Sequence, residues 1–320
     1  MFSYKRILIL FLVVLTFISA YISSYFLLSY YTGGDQYYYR QFYDALVDSD
    51  IRELFFLLSS RLGASEPVSG ILLWLGANMG LSKDVYISFL NAFLLTGILM
   101  LCVRYKVNFV FIFLLFTNYY IVVLFTSAER LKIAFLFMVY ALYFSEVKRK
   151  VFMILSLFSH FQMIVVIASI VFDKFLGISV RILFRNLVSK KDMFFLFLVF
   201  GLLGVVGNFS GSVFNKVLGY SQFSNGVYEL FQVMALCFVA FLVLRDRGIY
   251  FIYMIPISIA CMVVGSSRLN ILAFFILLFF SIVQKRTHHP VLILLMVYFS
   301  FKSIFFIEKV FLYGNGFYNN

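Results

Sequence analysis

Predominantly apolar blocks near the length of a membrane-crossing helix recur along the chain, and nothing else in it constrains the fold as strongly. Residues 7–28 carry no charged side chain, and further blocks follow at 85–103, 107–126, 131–145, 151–172, 193–209, 227–244, 249–267, 269–283 and 290–307. About 20 such residues cross the roughly 30 Å hydrocarbon layer as a helix. In lipid, backbone polar groups must bond within their own segment, and helices do this. The composition agrees: 63% of residues are hydrophobic and 12% charged, against about 45–50% and 25% in soluble domains. A water-soluble enzyme, a disordered chain and a fibrous repeat are excluded. The three cysteines, Cys102, Cys237 and Cys261, all fall inside apolar blocks and imply no disulfide framework. The expected fold is all-α, a polytopic integral membrane helix bundle forming one transmembrane domain over residues 1–320, with about nine to eleven membrane elements, some short or re-entrant.

The formal charge of +12 suggests nucleic acid in a soluble protein, but here the positive residues sit in short loops between apolar blocks. Topology explains them, because cytoplasmic loops are enriched in Lys and Arg. Lys5 and Arg6 place the N-terminus in the cytoplasm, and Arg104, Lys106 and the Lys148-Arg149-Lys150 run mark later cytoplasmic loops. The segment 29–67 holds six acids against three bases and reads as a loop on the outer side. Residues 68–82 are apolar but short, which suits a re-entrant or interfacial helix. Residues 107–126 read as one outward span. The block 151–172 lies between two basic stretches that both favour the cytoplasm: either the second stretch is an outer amphipathic helix, or the block breaks at Ser159-His160 into two short helices, and the break keeps every basic loop inside.

Polar groups at membrane depth are costly, so each prompts a functional reading. Beyond the first span, Tyr31-Thr32-Gly33-Gly34-Asp35-Gln36-Tyr37-Tyr38-Tyr39-Arg40 sets an aspartate among four tyrosines. Flat aromatic faces and a carboxylate suit a sugar ligand. The plainer reading is a helix cap at Asp35 followed by an interfacial aromatic belt. Arg130, followed by Lys132, and Arg268 stand at span ends assigned to the same outer face. A guanidinium fork binds phosphate oxygens bidentately, although a boundary arginine also anchors helices to headgroups. His160 sits within an apolar block and is a candidate base or donor. Glu229 is a weaker candidate. No carboxylate–histidine spacing suits zinc, and no Walker loop or dinucleotide fingerprint occurs, so no metal or cofactor is expected.

These signals follow one another in a recognisable order: Gly-Gly-Asp35 with tyrosines, Glu66-Pro67, Arg130 with Ala134, Ser159-His160-Phe161, then Arg268. The chain resembles the EpsG family of polysaccharide polymerases, a branch of the Wzy-like O-antigen and capsule polymerases. The resemblance is carried mainly by residues 31–172. It implies a multi-pass glycosyltransferase of the bacterial inner membrane that joins undecaprenyl-diphosphate-linked oligosaccharide repeat units at the periplasmic face, with a flippase and a chain-length regulator as partners and no cofactor. Asp35, His160, Arg130 and Arg268 would be its catalytic residues, and Tyr38, Tyr39, Arg40, Glu66 and Lys132 would bind substrate. A flippase for lipid-linked sugars, or a ligase using the same lipid phosphosugar, would employ the same arginines.

Overall fold

The computed structural model describes residues 4–185, 189, 191–193, 226–264 and 267–318. Among these residues the chain forms helices and no strand. Four helical stretches are long and apolar enough to cross a membrane, Arg6–Tyr30, Lys83–Arg104, Met163–Ile182 and Pro290–Tyr313, or five if one bent pair counts as a span. The chain is thus built as a multi-pass membrane protein would be. The expected span at 193–209 lies outside the described residues beyond Met193.

The chain divides into two compact units, one of residues 1–163 with 287–320 and the other of residues 164–286. In the first unit, α1 (Tyr4–Tyr30) runs along α5 (Lys83–Arg104), which packs on its other side against α8 (Glu129–Tyr143). The α5 span is 67% buried inside the fold against 11% for α1, so α5 is the core helix and α1 presents its apolar surface outward. Gly97 makes the α5–α8 approach possible: a Cβ there would lie 2.9 Å from Val139. Small residues serve this purpose where membrane helices pack closely.

The acidic segment 29–67 is a pair of helices rather than an open loop. α2 (Asp35–Ala45) buries Gln36, Tyr39, Phe42 and Tyr43 on one face, and α3 (Ile51–Leu62) buries Leu54 and Leu58. This helical spacing with polar residues opposite marks an amphipathic element. Gly34 opens α2 at φ 57, a left-handed value that glycine adopts without strain. α4 (Pro67–Asn78) starts with proline at its first position, where the missing N–H costs nothing. Its 12 residues rise about 18 Å, too little to cross a bilayer.

The block 107–126 is not one continuous helix. It breaks into α6 (Phe109–Phe116) and α7 (Tyr119–Thr126), bent by 43°. The Asn118 side chain accepts from the Tyr120 N–H at 2.9 Å and starts a new helix. From α14 (Pro290–Tyr313), Ser303 Oγ donates to the Thr117 carbonyl at 2.7 Å, and Ser300 Oγ lies 2.9 Å from Thr117 Oγ1. The freed backbone groups are therefore satisfied inside the protein, the condition for breaking a helix at membrane depth. The block 151–172 is also interrupted: α9 (Glu146–Ser159) ends at His160, whose backbone is extended, and α10 (Met163–Arg185) begins three residues later.

The end of α14 returns to the start of α2. Gly314, left-handed at φ 64, presents its carbonyl to the N–H groups of Thr32 at 3.1 Å and Gly33 at 2.8 Å. Tyr31 OH donates to Asn315 Oδ1 at 3.3 Å.

In the second unit, α11 (Gly226–Val243), α12 (Gly248–Val264) and α13 (Ser267–Val283) pack on one another. Ser169 of α10 donates to the Tyr253 carbonyl of α12 at 2.8 Å.

Candidate active site

Four polar side chains of the first unit, three from helix ends and one from the middle of α2, meet in a buried chain of hydrogen bonds. Glu66 occupies the N-cap position of α4, Arg130 lies in the first turn of α8, His160 caps α9, and Tyr39 comes from the buried face of α2. Arg130 Nη1 donates to Glu66 Oε2 at 2.6 Å, and its Nε donates to the Tyr39 hydroxyl at 3.0 Å. Glu66 Oε1 lies 3.2 Å from His160 Nδ1. His160 Nε2 lies 3.1 Å from the Gln162 side chain. Glu66, His160 and Tyr39 are each 5% exposed.

The helix break positions the histidine. Because α9 stops at Ser159, the ring is delivered from an extended residue, while His160 N–H still bonds Ser156 O at 3.3 Å and His160 O receives Met163 N–H at 3.0 Å. Similarly, Pro67 fixes the start of α4 and leaves Glu66 in extended backbone just ahead of it.

Glu66 is the anionic hub. Burial alone would raise its pKa, but the hydrogen bond from His160 and the positive charge of Arg130 outweigh that and hold the carboxyl at about 2. It is therefore ionised at neutral pH and is an acceptor, not a proton donor. With Nδ1–H directed at Glu66, the Nε2 of a neutral His160 ring carries the lone pair. Gln162 can meet either state of the ring, with its NH2 toward a neutral ring and its carbonyl toward a charged one. Among the described residues, Nη2 of Arg130 has no hydrogen-bond partner, which leaves half of the guanidinium fork for a ligand.

No family model, curated protein or solved structure matches the chain. The site therefore rests on its own geometry.

Of the residues singled out in the sequence, Tyr39, Glu66, Arg130 and His160 form this network. Asp35 stands half-exposed in the first turn of α2, four positions before Tyr39. Tyr38 is 58% exposed, its ring edge-on to Tyr37 with centroids 5.5 Å apart. Arg40 turns away to Asp84 at 2.9 Å and to the Leu28 carbonyl at 2.7 Å. Lys132 is fully buried; it bonds Glu129 at 2.8 Å and the Phe125 carbonyl at 2.9 Å. Arg268 belongs to the second unit, half-buried at the start of α13.

Sequence reasoning missed the cluster around Glu129. Its Oε1 accepts from Gln36 at 2.8 Å and Lys83 at 3.1 Å, and its Oε2 accepts from Lys132. Gln36 also donates to the Thr126 carbonyl and accepts from Lys83. The signal was present: Glu129 and Lys132 stand three positions apart at the head of an apolar helix, a spacing that pairs side chains on one face.

Proposed function

We propose that the chain is a polysaccharide polymerase of the bacterial inner membrane that joins undecaprenyl-diphosphate-linked oligosaccharide repeat units at the periplasmic face, with the N-terminus in the cytoplasm. The observation that carries this reading is the buried Tyr39–Arg130–Glu66–His160 network. It gathers a guanidinium and an imidazole around one carboxylate at residues that the family resemblance also marks.

In this reading the donor sugar arrives with a lipid diphosphate on its anomeric carbon. An acceptor hydroxyl gives its proton to His160 Nε2 while its oxygen bonds that carbon, and the bond from the carbon to the diphosphate oxygen breaks. The lipid diphosphate leaves with the electron pair. Glu66 stabilises the imidazolium that forms, a general-base arrangement oriented by a carboxylate. Arg130 offers Nη2 to the charge growing on the diphosphate, which preorganised donors stabilise most strongly in a water-poor site. Arg268, in the second unit, is a proposed diphosphate ligand on the family resemblance alone. Asp35 and Tyr38 are proposed to hold the oligosaccharide, whereas Arg40 is engaged by Asp84 and Lys132 by Glu129, and neither is proposed to touch it.

The test is chain extension in vitro. Purified protein mixed with one lipid-diphosphate-linked repeat unit should yield a ladder of longer glycans and free lipid diphosphate. Transfer of the intact lipid-linked unit across a vesicle bilayer, with no ladder, would identify a flippase instead.

A further inference from the structure

Gln36 and Tyr39 lie three positions apart on the buried face of α2, and they meet two consecutive residues of α8. Gln36 donates to Glu129 at 2.8 Å, and Tyr39 receives Arg130 Nε–H at 3.0 Å. One residue further on, Arg40 pairs with Asp84 of α5, next to the Lys83 that shares Gln36 and Glu129. Three neighbouring polar positions of α2 are thus registered against α5 and α8. The Gln36 side chain is fully buried and carries no charge. Its amide gives hydrogens to Glu129 and the Thr126 carbonyl and receives one from Lys83.

Both carboxylate oxygens of Glu129 are also engaged by these contacts. Gln36 and Lys83 occupy Oε1 and Lys132 occupies Oε2. Arg130, the next residue of α8, does not join this cluster and reaches Glu66 at 2.6 Å.

We infer that Gln36 is a positioning residue: through Glu129 it fixes the rotation of α2 on α8, and so sets the Tyr39–Arg130 hydrogen bond that aims the guanidinium into the candidate site. This rests on the polymerase reading for its catalytic consequence but not for its geometry. Small misplacements of catalytic groups reduce rate by up to about 100-fold.

The experiment uses the full chain, purified in detergent, with 3-fluorotyrosine at position 39 as a fluorine NMR probe of the phenol. Arg130→Met supplies the resonance of a broken contact. Gln36→Met, which keeps the length and loses the amide, should move the resonance more than halfway toward that reference. In chain extension it should lower kcat about 10- to 100-fold with KM within twofold of the parent. If Gln36→Met fails to insert, Gln36→Glu takes its place: it loses the amide donors toward Glu129 and the Thr126 carbonyl, keeps an acceptor for Lys83 and gives the cluster two acids against two lysines. A folded variant whose position-39 resonance stays at the parent value overturns the positioning role. Absence of chain extension by the parent protein overturns the polymerase reading and leaves the resonance test standing.

Discussion

Arg130 and Glu66, 64 positions apart in the chain, form a buried ion pair at 2.6 Å with side chains 14% and 7% exposed. The pair ties the N-terminus of α8 to that of α4. Losing one preorganised donor from a shielded site typically costs about 10²–10³ in rate. Arg130→Ala should therefore abolish long glycan products while the protein still inserts. Arg130→Lys should recover only part of the activity, because an ammonium cannot bridge Tyr39 and Glu66 as the fork does. Gel ladders from purified variants measure both. Full-length product from Arg130→Ala would reduce the arginine to an anchor.

Glu66 makes stability depend on acid in a defined window. Its carboxyl titrates near 4.5 when free and at about 2 in the fold. A depressed acid stabilises the fold fully above the free value, and the contribution is lost as pH falls through the folded value. The melting temperature in detergent should drop between about pH 4.5 and 2, and Glu66→Gln should flatten that portion of the curve. An identical acid limb in both proteins would show that Glu66 is not the linked group.

The Glu129 cluster predicts an asymmetry. One carboxylate faces two lysines, all three side chains at most 4% exposed. Lys83→Met leaves one balanced pair. Glu129→Gln leaves two buried ammonium groups without a counter-charge, and breaking a buried pair in this way costs about 3–5 kcal/mol. Thermal unfolding should rank Glu129→Gln well below Lys83→Met. The reverse order would mean that the two lysines are not both charged.

The orientation proposed for the acidic helices can be tested by labelling. Ser60 is exposed on α3. In a background lacking Cys102, Cys237 and Cys261, Ser60→Cys should react with an impermeant thiol reagent in intact spheroplasts. Reaction only after permeabilisation would place this face in the cytoplasm and remove the proposed periplasmic site.

The all-helical character was legible in the apolar blocks, and so was the interruption beside His160, but not the expected pair of short helices: α10 runs 23 residues and is itself long and apolar enough to cross a membrane. The break at Thr117-Asn118 was not read. Its signal is only two polar residues in an apolar run, and the groups that satisfy it, Ser300 and Ser303, lie on a distant helix. At the candidate site, Arg130 and His160 stood out singly as polar groups of apolar blocks, and Glu66 only through the family resemblance. That Glu66 joins the other two depends on where α4 begins and α9 ends, which side-chain spacing does not encode. Gln36, Lys83 and Glu129 were passed over because each read as an ordinary residue of a helix boundary. Their importance lies in mutual neutralisation, which is a property of the packed state.

The seating of Gly314 against Thr32 and Gly33 bears on the order in which the chain matures at the ribosome. Tyr31 and Asn315 are 284 positions apart, so α1 can be inserted long before its neighbouring turn finds its partner. Until α14 emerges, the two N–H groups that introduce α2 have no carbonyl to meet. The helix that carries Tyr39 is the first of the candidate site to be synthesised and the last to be secured, so a nascent chain arrested before residue 314 should be membrane-bound and inactive.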